Sequence, residues 1–239
     1  MTEDLRWRRV LLKLSGEALM GDQGFGIDPE VVGRIVADIA AAVRLGVKIG
    51  LVVGGGNIFR GVQVAAKGGS RTAGDHMGML ATVMNGLALA DSLRAQGIPA
   101  RVFSAVQMPS ICETFTQRAA DDRFAAGEVL VFVGGTGNPF FTTDSGAALR
   151  AAEMECDAML KATNVDGIYS ADPKLDPNAE RFDHLTHQEV LAKGLNIMDA
   201  AAIALARDNA IPVIVFSIHT PGALVDVLRG KGLATVVSD

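Results

Sequence analysis

Two glycine-rich strings stand where this chain can meet an anion. Gly54-Gly55-Gly56-Asn57 follows an apolar run and precedes Arg60. Gly134-Gly135-Thr136-Gly137-Asn138-Pro139 follows another and continues into Phe140, Phe141, Thr142, Thr143 and Asp144. Loops of this kind turn backbone N–H groups toward a ligand, and an arginine adds a planar fork of donors. One glycine triplet is equally a tight strand-to-helix turn; the second loop favours phosphate binding and suggests two anionic ligands. Neither string is a Walker A sequence or a Gly-x-Gly-x-x-Gly fingerprint. Phosphoryl transfer needs in-line positioning and cations over the moving charge, and Lys13 and Arg60 at strand ends can supply them. Asp144 is open to three readings: capping the helix after it, meeting Mg²⁺ through water, or orienting a lysine. A further string, Lys161 to Tyr169 and on to Asp172, offers polar groups and one aromatic ring suited to a purine nucleoside.

These residues need elements to hold them. Val10–Leu14 and Val47–Val53 are apolar runs of strand length, and 101–105, 129–133, 158–162 and 212–217 read likewise. Between them, Asp28-Pro29 followed by Val31, Val32, Ile35, Val36, Ile39 and Val43 predicts a capped amphipathic helix ending at Gly46. Asp75 opens a second helical pattern that runs to Gly97. Shorter helices are expected at 145–155 and 199–207, and Thr186 with Glu189 reads as a capping box. The βαβα order calls for a mostly parallel sheet covered on both faces, with ligands beyond the carboxyl ends of its strands.

Composition narrows the function class. At 49% hydrophobic and 21% charged, the chain of 239 residues is apolar enough to build a core. A net charge of −5 without runs of like charge argues against a broad nucleic-acid face. The absence of a membrane-length apolar stretch or secretory signal gives a soluble, cytoplasmic reading. Cys112 and Cys156 are read as small hydrophobes, and His184 with His187 as a solvated pair rather than a metal site.

The strings Lys13–Glu17, Gly54–Gly61, Gly74–Thr82, Gly135–Asp144 and Lys161–Gly167 resemble, in order and spacing over essentially the whole chain, the bacterial-type uridylate kinases of the amino-acid kinase superfamily. The resemblance implies a single domain over 1–239. Its α/β fold would be a three-layer αβα sandwich with a mostly parallel central sheet. The implied reaction moves the γ-phosphate of MgATP to UMP, giving ADP and UDP for pyrimidine biosynthesis. The acceptor site would lie mainly in the N-terminal two thirds and the ATP nucleoside site mainly in the C-terminal third. Lys13, Leu14, Ser15, Gly16 and Gly56 would contact the ATP phosphates, with Lys13 and Arg60 countering charge on the transferred group. Gly55 and Arg60 would hold the UMP phosphate and Asp75 the ribose. Thr136, Gly137, Asn138, Pro139, Phe140, Phe141, Thr142 and Thr143 would hold its base and phosphate. Thr163, Asn164, Tyr169 and Asp172 would line the ATP nucleoside end.

By the same resemblance, Asp144 organises the cations or Mg²⁺, and Asp199 orients the phosphate-binding lysine unless it is only a helix N-cap. Mg²⁺ is expected to travel mainly on the ATP phosphates. The resemblance further implies a homohexamer, activation by GTP and inhibition by UTP. The helix from Asp75, with Met77, Met79, Met84 and Leu87, is the expected dimer contact.

Overall fold

The computed structural model describes residues 5–59, 68–173, 175–195 and 197–239. Strand β1 (Arg9–Leu14) is buried from Val10 onward, and β2 (Lys48–Val53) pairs with it in parallel. Such strands lack a polar face because helices cover both sides. Between them runs α1 (Pro29–Arg44), where the Asp28 carboxylate accepts the N–H groups of Glu30 and Val31 and proline takes the first helical position. The next helix, α2 (Arg71–Ala95), starts a turn earlier than its apolar pattern suggests. Ser70 is its cap, which places Asp75 inside the helix rather than at its opening.

The chain continues through β3 (Ala100–Ser104), β4 (Glu113–Thr114), α3 (Gln117–Ala125), β5 (Val129–Val133), α4 (Thr143–Glu153) and β6 (Ala158–Thr163). The hairpin β7 (Ile168–Tyr169) and β8 (Arg181–Phe182) follows, then β9 (His184–Leu185), α5 (His187–Ala192), α6 (Ala200–Asp208), β10 (Val213–Ser217), α7 (Ala223–Leu228) and β11 (Ala234–Val237). Two-residue strands show no periodicity to read. Helix α3 escapes notice because only Ala120 and Phe124 of its residues are buried, too narrow an apolar stripe to stand out.

Among the described residues, nine strands form one sheet in the order β4-β3-β5-β2-β1-β6-β10-β11-β9. All neighbours are parallel except β10 and β11. One face packs Leu12, Leu14, Leu51 and Val131 against α1, α2 and α7. The other packs Leu11, Val52, Phe132 and Met159 against α3, α4, α5 and α6. The result is the expected αβα sandwich, with β1 central and its carboxyl end opening on the glycine loops. No helix among the described residues is long and apolar enough to cross a membrane.

Two smaller readings change. His187 is buried rather than solvated: its Nδ1 lies 3.1 Å from the Asp239 carboxylate and its Nε2 3.2 Å from the Ile211 carbonyl, tying down the C-terminus. Met79 is buried in α2, whereas Met77, Leu80 and Met84 form its exposed apolar stripe.

Candidate active site

The centre of the site follows from sheet register. β1 and β6 are neighbours with Lys13 opposite Lys161, so both side chains leave the same face, toward α4. Asp144, in the first turn of α4, meets them. Its Oδ2 accepts from Lys161 Nζ at 2.8 Å, and its Oδ1 lies 2.8 Å from Lys13 Nζ. The Lys13 contact acts first through its charge. The lysine side chains are only 9% and 11% exposed, so each needs a counter-charge. Burial pushes the Asp144 carboxyl up, but the two ammonium groups together outweigh it and hold it below the usual carboxylate range. Burial, reinforced by the Lys13 charge, lowers Lys161 to about 8 despite the opposing pull of Asp144.

This geometry bears on two of the three readings of Asp144, the cap and the lysine partner. Thr142, not Asp144, caps α4, accepting the N–H groups of Asp144 and Ser145. Both carboxylate oxygens face ammonium groups, which places Asp144 to orient the two lysines. No group of three His, Cys, Asp or Glu side chains among the described residues suits a metal ion. Among the described residues, the hydrogen-bond partners of Asp199 include no lysine. It caps α6 by accepting the Ala202 N–H and also accepts the hydroxyls of Thr142 and Ser145, pinning the start of α4 to the start of α6.

The glycine loops pack backbone against backbone. A Cβ on Gly16 would come within 2.5 Å of Asn57 Oδ1 and 2.6 Å of the Gly54 carbonyl, so no larger residue lets the β1 turn sit against the 54–57 loop. A Cβ on Gly55 would lie 2.8 Å from the Gly78 carbonyl of α2. Buried Asn85 and Asn57 fix the loop by exchanging amide hydrogen bonds, while Asn85 also donates to the Gly54 carbonyl and Asn57 to that of Gly26. Arg60 lies outside the described residues.

A cavity of about 290 Å³ opens beside this centre. Of the expected acceptor residues, Gly55, Asp75, Thr136, Asn138, Phe141, Thr142 and Thr143 line it, while Gly137, Pro139 and Phe140 do not. Phe140 supports the site from outside: at φ +72° its N–H donates to Asp75 Oδ2 at 2.8 Å. Arg71, one helical turn before Asp75, also lines the cavity and donates to both Asp75 oxygens. The sequence reading places Arg60 here but not Arg71, because Arg71 precedes the helix pattern as first read. Burial raises the Asp75 carboxyl, yet the Phe140 N–H and the Arg71 guanidinium prevail and keep it below the usual range.

A larger cavity, about 540 Å³, lies beyond β6 and β10. Asn164 and Tyr169 line it, with Asp166, Ser217, Thr220 and Asp226, none of the last four assigned from sequence. The Tyr169 hydroxyl donates to Asp166 Oδ1 at 2.7 Å. Thr163 and Asp172 do not line it. Thr163 Oγ1 closes a turn on Val165, and the Asp172 carbonyl accepts the N–H groups of Leu175 and Asp176. A third hollow shares Asn164 and reaches Glu17, joining the nucleoside-sized cavity to the turn after β1. The smaller cavity reaches Thr143, next to Asp144, and the larger reaches Asn164, three residues beyond Lys161, so the two can hold an acceptor and a donor around the lysine-carboxylate-lysine centre.

Residues 8–217 match the amino acid kinase family. The chain is 64% identical to the uridylate kinase of Brucella abortus biovar 1 over 239 residues, covering 100% of both chains. It is 66% identical to that of Agrobacterium fabrum over 233 residues, 98% of this chain and 97% of the relative. Among solved structures, the UMP kinase of Ureaplasma parvum superposes with a TM-score of 0.93 at 38% identity, covering 98% of this chain and 100% of that one. The UMP kinase of Bacillus anthracis gives 0.94 at 34% identity, over 98% and 96%.

Proposed function

The chain belongs to the uridylate kinases of the amino acid kinase family, and from that premise we propose how its own residues carry the γ-phosphate of ATP to UMP. UMP occupies the 290 Å³ cavity, with its ribose toward Asp75 and its base and phosphate along Thr136 to Thr143. ATP lies with its nucleoside in the 540 Å³ cavity and its phosphates over Ser15, Gly16 and Gly56. The acceptor thus draws mainly on the N-terminal two thirds of one domain, and the ATP nucleoside on the C-terminal third. The observation that carries this reading is Asp144 holding two ammonium groups next to Thr143, which lines the smaller cavity.

Lys13 and Lys161 stabilise charge spreading over the phosphoryl oxygens, and Asp144 fixes their positions before substrate arrives. Arg60 adds a third cation from the 54–61 string. A phosphate monoester is largely ionised at neutral pH, so Asp144 needs to remove no proton from UMP. Mg²⁺, when bound with ATP, neutralises part of the phosphate charge; the carboxylates described here do not form a separate cage for it. The enzyme works in the cytoplasm, as a homohexamer activated by GTP and inhibited by UTP.

The experiment that tests the assignment is ADP release from MgATP against UMP, CMP, dUMP, N-acetylglutamate, aspartate and carbamate, with and without GTP and UTP. Turnover confined largely to UMP is expected. A carboxylate or carbamate acceptor would keep the fold and overturn the acceptor assignment.

A further inference from the structure

Adjoining the nucleoside cavity is a smaller one, about 220 Å³, that the scheme above does not use. Arg6, Trp7, Arg181, Asp183 and Lys231 form its polar wall, over an apolar floor from β10, α7 and β11. Three cations against one carboxylate gather here in a chain whose net charge is −5. Arg6 and Lys231 have no carboxylate partner among the described residues. Arg181 pairs with Asp183 at 2.9 Å, but the Asp183 side chain is 86% exposed, so that pair is screened and exchangeable.

The guanidinium groups are ordered before any ligand arrives. The Arg6 amide donates to the Leu228 carbonyl at 2.9 Å, and its guanidinium lies 4.8 Å over the Trp7 ring. Arg181 Nη1 donates to the Ala234 carbonyl at 3.1 Å. Cations held in this way lose little freedom when they take up an anion.

We propose that this cavity is a second anion site, binding a small phosphorylated anion between Arg6, Arg181 and Lys231. Two guanidinium forks and an ammonium group suit phosphate oxygens, and the surplus of two positive charges matches a dianion. At about 220 Å³ the cavity is smaller than the 290 Å³ one assigned to UMP, which favours an occupant of phosphate or pyrophosphate size over a whole nucleotide. The site is also joined to its larger neighbour. Val227 and Gly232 line both cavities, and the Arg181 stem packs so closely on the 166–168 turn that a Cβ on Gly167 would lie 2.9 Å from it. The binding claim does not depend on the phosphoryl-transfer reading.

Trp7 is the chain's one tryptophan, so its emission reports on this cavity directly. The test is titration of the full chain with inorganic pyrophosphate at constant ionic strength, without nucleotide, followed by calorimetry and Trp7 fluorescence together. Saturable binding is expected, with affinity falling about tenfold or more in Lys231→Gln and Arg6→Gln, the effect of removing one charge-assisted contact. The same titration in Lys13→Ala separates this site from the transfer centre: the response should persist. No saturable heat in the parent, unchanged affinity in both cavity variants, or loss of binding in Lys13→Ala would each overturn the proposal. Calorimetry decides the matter even where Trp7 emission does not move.

Discussion

At the scale of single residues, the chemistry turns on how much positive charge the protein can hold in a nearly dry place. Two ammonium groups share one carboxylate, and Lys161 gives way, with its proton loss brought down to about 8 from an ordinary 10.5. Because the folded-state value is depressed, Lys161 is charged below about pH 8 and neutral above it. The unfolded chain binds the extra proton between about 8 and 10.5, so this group's contribution makes stability rise with pH across that window. Activity should move the opposite way: kcat/KM, which reports the free enzyme, is expected to fall as pH passes about 8. Lys161→Arg, with a group that stays charged, should remove that alkaline limb, and Lys161→Met should lower turnover roughly 100-fold at neutral pH, the usual scale for losing one preorganised contact. A limb unchanged in Lys161→Arg would take Lys161 out of the mechanism.

At the scale of elements, α4 carries Asp144, and its starting point is set by Thr142, Ser145 and Asp199 together. Asp199→Ala removes the α6 cap and the acceptor for two hydroxyls, so unfolding in urea should show a loss of about 1–3 kcal/mol. Asn85→Ala should cost about 2 kcal/mol or more, since it leaves the buried Asn57 amide and the Gly54 carbonyl short of partners. A midpoint unchanged in either variant would remove these bonds from the account. The main strands and α1 were legible in the sequence because their apolar periods and caps are local. Lys161 was not recognised as part of the centre, because nothing near it shows that β6 lies in register with β1. Arg71 was missed because a helix beginning at Ser70 looks, from its apolar pattern, as though it begins at Asp75. Asp199 looked as much like a lysine partner as a cap, and its bonds to the start of α4 come from the packing of α4 beside α6, which no local pattern shows.

At the scale of the whole molecule, the sheet gathers loops from both halves of the sequence onto one edge, and α2 leaves a stripe of Met77, Leu80 and Met84 exposed on the surface. Such a stripe is costly to leave wet and suits burial against another copy of the chain. Leu80→Glu is therefore expected to lower the mass measured by light scattering, and an unchanged mass would place the contact elsewhere. The central claim is that the two cavities serve one transfer centre. It is tested most directly in Lys13→Ala, by measuring UMP affinity and the single-turnover rate of phosphate transfer from MgATP on the same preparation. UMP binding should stay near that of the parent, because Lys13 does not line the acceptor cavity, while transfer slows at least ~100-fold. Transfer at the parent rate would contradict the account.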